Sequence, residues 1–260
     1  AWKLAWVLQG RMKPELLASY HDERHAHAKA MIELADLFGA VLSQRNRFVA
    51  WMRDRFFLAI KDVPRVRDYL LQMKFKPMPR FARGIVQDSG NARRDGAVGR
   101  MFIQPNVERE SERGGVQRLD DIVGLRVALI GWRCDPLASA PQELRKRLAQ
   151  LGCDSYVAVR ARGVPTEAGS RVPAVPSGVV LEDSENVLQA WFRAHDADWV
   201  LIRPDRFVAA VGREGDAVAQ LSAFCDAVLQ GESQPSRVLT LLEQAVYQQR
   251  KACGGGVRVP

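Results

Sequence analysis

The spacing of apolar residues changes once along this chain, near Leu119, and that change limits the fold more than any other feature of the sequence. Before it, apolar side chains recur at three- and four-residue intervals, the mark of helices that bury one face. After it, short runs rich in Val, Leu and Ile alternate with amphipathic stretches, the order expected of strands and helices that share a sheet. The fold class expected is therefore α/β, with a helical segment first.

Ala1 to Gln9 reads as a helix, with Trp2 and Trp6, and Leu4 and Leu8, each four residues apart. No Ser, Thr, Asp or Asn precedes it to cap its first amides, and no Met begins it, so the natural chain is expected to continue upstream. Gly10 is the expected stop, and Pro14 opens the next helix where a missing N–H costs nothing. Glu15 to about Ser43 is a long helical pattern with a bend expected at Gly39. Further helices are expected over Arg47 to Ile60 and from Pro64 to near Met73. Lys76 to Gly99, with Pro77, Pro79 and several glycines, reads as a loop or linker. Met101 to Val107 is expected to be a strand, followed by a charged turn from Glu108 to Arg118.

In the second half the expected elements are a strand Leu125 to Gly131, a helix Pro141 to Leu151 and a strand Ser155 to Arg160. A Pro- and Gly-rich excursion covers Gly163 to Gly178. A helix from Glu185 to His195, strands Trp199 to Arg203 and Arg206 to Val211, and a helix Asp216 to Leu229 complete the series. The order β-α-β followed by α-β-β-α is that of a thioredoxin-like α/β domain. The division expected is a helical part (1–75), a linker with a short strand (76–118), the thioredoxin-like part (119–230) and a tail (231–260), where Ser236 to Arg250 is one more helical pattern. The 119–230 part, closing its own sheet, is expected to unfold cooperatively alone.

Charge excludes little. The net charge of +8 arises in residues 1–120, which hold 22 Lys and Arg against 14 Asp and Glu. Acids interleave with the bases, as in Arg53-Asp54-Arg55 and Arg67-Asp68, which suits solvated helix faces better than a nucleic-acid surface. No apolar run approaches the roughly 20 residues of a membrane span, and no secretory leader is visible, so a cytoplasmic location is expected. Cys134, Cys153, Cys225 and Cys253 are far apart, with no C-x-x-C pair, and are expected to be reduced thiols.

Several segments fall in a telling order: Ala1-Trp2-Lys3-Leu4-Ala5-Trp6, Ser19-Tyr20 to Glu23-Arg24, Lys76-Pro77-Met78-Pro79, Gln104-Pro105, Leu119-Asp120-Asp121-Ile122-Val123-Gly124 and Arg203-Pro204-Asp205-Arg206. In this order the chain resembles the single-component FAD-dependent phenol-type hydroxylases over most of residues 1–230. The resemblance implies hydroxylation of a phenolic acid ortho to its hydroxyl, with FAD as cofactor, NADH or NADPH and O2 as co-substrates, and an aromatic small-molecule substrate. It implies a homodimer in the complete protein, with no nucleic-acid or membrane partner. The family's Gly-x-Gly-x-x-Gly turn is not found in this sequence, and Gly254-Gly255-Gly256 lies in no strand-to-helix context. What the resemblance covers is the outer end of the helix leaving the flavin site, the helices clamping the flavin and substrate regions, and a C-terminal thioredoxin-like domain without redox activity. No residue of the chain is assigned as catalytic, cofactor-binding or metal-binding on this basis.

Two constellations need weighing. His21-Asp22-Glu23-Arg24-His25 sets two imidazoles four residues apart, as in a zinc protease, but Asp22 stands where the Glu base belongs and His27 lies off that face. A polar helix face is the reading preferred. Cys134, in Trp132-Arg133-Cys134-Asp135-Pro136, follows the first strand of the α/β part, where Arg133 could lower its pKa. It has no resolving thiol nearby, so an inert buried or half-buried Cys is expected. Trp51, Phe56, Phe57, Trp191, Phe192 and Trp199 are spaced as packing residues, and no nucleophile elbow with a Ser/His/Asp set is present.

Overall fold

The computed structural model of the chain describes residues 2–73, 75–87, 90–109, 115–153, 156–161, 179–183 and 185–229. They divide into two compact units, one holding residues up to Tyr20 and from Ala82 onward, the other His21–Phe81. Both helix and strand are present, so the fold is mixed α and β. The tail helix expected at Ser236 to Arg250 and the Gly163 to Gly178 excursion lie outside the described residues.

The first unit opens with α1, Trp2–Leu8. Gly10 ends it at φ +70°, where Gly10 N–H reaches Val7 O (3.0 Å) and Arg11 N–H reaches Trp6 O (2.8 Å). This paired closure needs a left-handed residue, which glycine adopts without a steric penalty. A 3-10 turn over Pro14–Ala18 then leads into α2, Ser19–Leu42. The bend expected at Gly39 is absent, because one glycine weakens a helix by only about 1 kcal/mol and cannot break it without a competing contact.

In the second unit α3, Arg47–Ile60, has the bounds expected, set by Asn46, whose Oδ1 accepts from Phe48 N (2.9 Å) and Val49 N (3.4 Å). Arg53 donates to Val41 O (3.3 Å) and Leu42 O (2.8 Å), satisfying carbonyls left open at the end of α2. Helix α4, Pro64–Leu71, follows. Phe38 packs near Phe75, with ring centres 5.4 Å apart, yet Phe48, Trp51, Met52 and Phe56 on α3 are exposed.

The remaining elements belong to the first unit: α5 (Ala92–Asp95), β1 (Asn106–Arg109), β2 (Gln117–Arg118), α6 (Leu119–Val123), β3 (Ala128–Trp132), α7 (Gln142–Gln150), β4 (Tyr156–Ala161), β5 (Val179–Asp183), α8 (Val187–Ala194), β6 (Trp199–Ile202), β7 (Val208–Gly212) and α9 (Ala217–Val228). One sheet forms in the order β2-β1-β5-β4-β3-β6-β7. β3, β4 and β5 are parallel, β6 runs antiparallel beside β3, and β7 antiparallel beside β6.

Alternation along the strands sends side chains to opposite faces. Leu129, Trp199 and Leu201 join a core with Leu144 and Leu148 of α7, Leu221 and Phe224 of α9, and Trp6, Val7 and Met12. Ala128, Ile130, Val200 and Ile202 join a second core with Leu188 and Phe192 of α8 and Phe102 and Val107. The 119–230 part is therefore completed by residues outside it, at both faces.

Two strand expectations are corrected, and one strand is added. The strand expected over Met101 to Val107 begins only at Asn106, Met101 keeping a single bridge to Phe207; Pro105 lacks the N–H a ladder needs. The first strand of the α/β part starts at Ala128, Leu125 being 86% exposed. β5, which no sequence pattern announced, lies between β4 and β1. At the end of β3 the chain folds back so closely that a Cβ on Gly131 would stand 2.1 Å from Cys134 O, so only glycine fits.

Candidate functional site

Segments singled out in the sequence, up to 203 residues apart, meet at the β6–β7 turn. Arg203 leaves β6 and is 1% exposed. Its Nε donates to Asp205 Oδ1 (3.1 Å) and its Nη2 to Asp205 Oδ2 (2.7 Å), a two-pronged pair, while Nη1 donates to Ile85 O (3.2 Å). Such a fork is what makes Arg and carboxylate geometrically specific. The turn is closed by Arg203 N to Phe207 O (2.9 Å) and Arg206 N to Arg203 O (2.9 Å), with Arg206 at φ +70°.

Trp2 of α1 enters the same cluster. Its indole N–H donates to Asp205 Oδ2 (2.9 Å), and the Arg203 guanidinium lies over its ring at 5.2 Å. Trp6 meets Trp2 edge to face at 5.1 Å. Lys3 donates to Ser19 Oγ (2.8 Å), which joins the start of α2 to α1.

On the other side of the turn, Arg206 pairs with Asp120 Oδ1 (2.9 Å) and donates to Asp120 O (3.1 Å) and Gly124 O (2.7 Å). Gln104 donates to Asp120 Oδ2 (2.8 Å), and Leu119 N to Pro105 O (3.0 Å). The cluster thus collects the Trp2, Gln104-Pro105, Leu119 to Gly124 and Arg203 to Arg206 segments. The Lys76-Pro77-Met78-Pro79 segment lies in the second unit. This arrangement can hold a helix and a turn in fixed relation; its groups are engaged with one another.

Cys134 sits after β3, its thiol donating to Asp198 O at 3.4 Å. Its pKa is pushed up to about 12, first by burial and then by Glu214, Asp198 and Asp135. The lowering that Arg133 could have supplied is not what the site does: loss of water and three nearby carboxylates disfavour the thiolate. Burial also pushes Cys225 up to about 11. Cys134, Cys153 and Cys225 are buried free thiols, and Cys253 lies outside the described residues. His21 and His25 lie side by side on α2, ring centres 4.9 Å apart. Among the described residues no group of three or more His, Cys, Asp and Glu is placed to hold a metal ion. His195, which sequence reasoning passed over, packs on Trp191 at 4.6 Å and contacts Arg93 O through Nδ1 (3.2 Å).

A dinucleotide needs free backbone amides at the start of a helix, facing its pyrophosphate. At the start of α8 an acid already occupies them, and in the loop after β3 another acid holds an amide. Asp183, fully buried, accepts from Val187 N (3.1 Å) and Gln189 N (3.0 Å) at the start of α8. Asp135 accepts from Leu137 N (2.9 Å) after β3. These junctions do not fit a pyrophosphate.

Comparison with known proteins first defines a class. Residues 99–227 match the HcaD C-terminal domain, and residues 1–35 match an FAD binding domain. The class is thus defined by likeness over these two stretches, to the HcaD C-terminal domain and to an FAD binding domain. More particularly, the chain is 45% identical over 211 residues to 3-(3-hydroxy-phenyl)propionate/3-hydroxycinnamic acid hydroxylase 2 of Burkholderia vietnamiensis, covering 81% of this chain and 38% of that protein. It is 39% identical over 210 residues to the corresponding hydroxylase of Escherichia coli K12, covering 81% of this chain and 37% of that protein. The chain thus spans well under half the length of these relatives. In fold it is similar to the flavin-dependent monooxygenase PieE (18% identity, TM-score 0.52, 87% of this chain and 42% of that one). It is also similar to the OxyS anhydrotetracycline hydroxylase of Streptomyces rimosus (16% identity, TM-score 0.52, 88% and 38%).

Proposed function

We propose that this chain is part of a flavin-dependent monooxygenase that hydroxylates a phenolic acid such as 3-(3-hydroxyphenyl)propionate ortho to its hydroxyl, using NADH or NADPH and O2. The observation that carries this reading is the 45% identity, over 211 residues, to a hydroxylase of that substrate class. FAD supplies the oxygen chemistry in such an enzyme, and the protein supplies position and a dry site. In this reading the residues described here are support: α1 and the start of α2 fall in the FAD-binding match, and the sheet unit is a thioredoxin-like module without redox activity. Its support is the order β3-α7-β4, then, after β5, α8-β6-β7-α9, together with thiols that burial keeps protonated. The domain boundaries inferred from the sequence, a homodimer, a cytoplasmic location, and the absence of nucleic-acid or membrane partners belong to the same proposal. No described helix is long and apolar enough to cross a membrane.

A second reading, a non-redox interaction or dimerisation module, is favoured by the acid-occupied amides at the start of α8. The two separate on one experiment. The full product of the reading frame that contains these codons is purified and assayed for bound FAD and for NAD(P)H oxidation with 3-(3-hydroxyphenyl)propionate, with the product identified. Retained FAD and an ortho-dihydroxylated product are expected. A full product without flavin and without substrate-dependent NAD(P)H oxidation overturns the hydroxylase reading.

A further inference from the structure

We propose that Arg203, acting through Asp205, is a positioning residue that sets the rotation and axial register of α1 on the sheet unit. The inference rests on the hydroxylase reading only in taking α1 as a flavin-side helix, because α1 lies in the FAD-binding match while its contacts lie in the unit that carries the C-terminal-domain match.

A helix of seven residues is too short to persist by its own hydrogen bonds. Something else must hold it. Burial of Trp6, Val7 and Met12 supplies attraction, but apolar burial is non-directional and tolerates a slide or a turn of the helix. Its C-terminal end is fixed by the main chain, through Lys13 N to Val228 O (3.3 Å) and the Met12–Leu229 bridge. The N-terminal end has a different anchor. Each residue along a helix turns it by roughly 100°, so the Trp2 N–H meets Asp205 Oδ2 at only one rotation. Asp205 in turn is aimed by the Arg203 fork, and Arg203 is held by Ile85 O. One buried guanidinium therefore ties α1, the 85 segment and the β6–β7 turn together.

Stability alone does not account for this arrangement. Replacing a buried ion pair by apolar groups of similar volume is often neutral or stabilising, and the best-attested service of such pairs is to fix a register. An apolar residue at 203 would suit the neighbouring core, but it could not orient a carboxylate toward an indole.

The test uses the 260-residue chain and amide hydrogen exchange read residue by residue. Arg203→Met and Asp205→Ala are expected to speed exchange at residues 5–8 at least tenfold while amides of β3 and β6 change less than threefold. Trp2→Phe, which keeps a ring and removes the donor, is expected to give the same local acceleration and to add nothing to Asp205→Ala. Arg203→Lys, which lacks the fork, is expected not to rescue, whereas Asp205→Glu restores most of the protection. Unchanged α1 exchange in Arg203→Met, or acceleration spread equally over β3 and β6, overturns the proposal. If Arg203→Met does not fold, Trp2→Phe decides alone, and unchanged α1 exchange there overturns it as well. In the full gene product, Arg203→Met is expected to weaken FAD retention at least threefold. Unchanged retention with loosened α1 overturns the flavin-side role, whereas an unsubstituted product that holds no FAD overturns the hydroxylase reading instead.

Discussion

At the scale of single residues, the unit is governed by groups whose charge or volume the surroundings leave no choice over. Cys134 shows this most directly. Its folded pKa, about 12, lies above the ordinary value of 9.0, so between those pH values the unfolded chain releases a proton that the folded chain keeps. Stability from this group is thus complete below pH 9 and is lost as pH rises toward 12, and Cys225 acts in the same sense between 9 and about 11. A denaturation midpoint that falls as pH rises above 9, less steeply in Cys134→Ala, is expected. Native labelling of both thiols by a maleimide at pH 8 should be far slower than labelling in denaturant; equal rates would show that they are not held protonated. Burial, the largest cause, and the carboxylates of Glu214 and Asp198, dozens of residues later in the chain, act on Cys134 in a way that the residues beside it in sequence do not reveal.

At the scale of elements, local chemistry decides some boundaries and distant pairing decides others. Asn46 caps α3, and Asn46→Ala is expected to cost about 1 kcal/mol. Gly39 lies inside α2 with open space around its Cβ position, and Gly39→Ala is expected to return about 0.5–1 kcal/mol. Both are read as opposite shifts in urea midpoint; a loss in Gly39→Ala would mean that the glycine has a contact to keep. The span of α3, the stop at Gly10 and the apolar run of β6 were legible because each is written within a few residues. β5 was not, since Val179-Val180-Leu181 is too short a run to show alternation and becomes a strand through β4 and β1 beside it. The motif cluster was half legible: its segments stood out by resemblance, but nothing local in the sequence brings Trp2 to Asp205.

At the scale of the whole molecule, the sheet unit draws on both ends of the described chain. Residues 119–230, expected from sequence to be self-sufficient, leave out Trp6, Val7, Met12, Phe102 and Val107 of its two cores. Removing them opens cavities of the kind that cost about 2–5 kcal/mol per large side chain. The isolated 119–230 fragment is therefore expected to lack a sharp melting transition, which one restored by residues 2–20 and 82–118 would confirm and a cooperative transition without them would refute. One consequence reaches back to synthesis. Lys13 waits for Asp226, 213 residues later, before its end of α1 can dock. At roughly 5–20 residues per second the ribosome takes on the order of 10–40 s to deliver that partner. During that interval α1 cannot complete its contact with the sheet unit, because α9, the last described helix, has still to emerge.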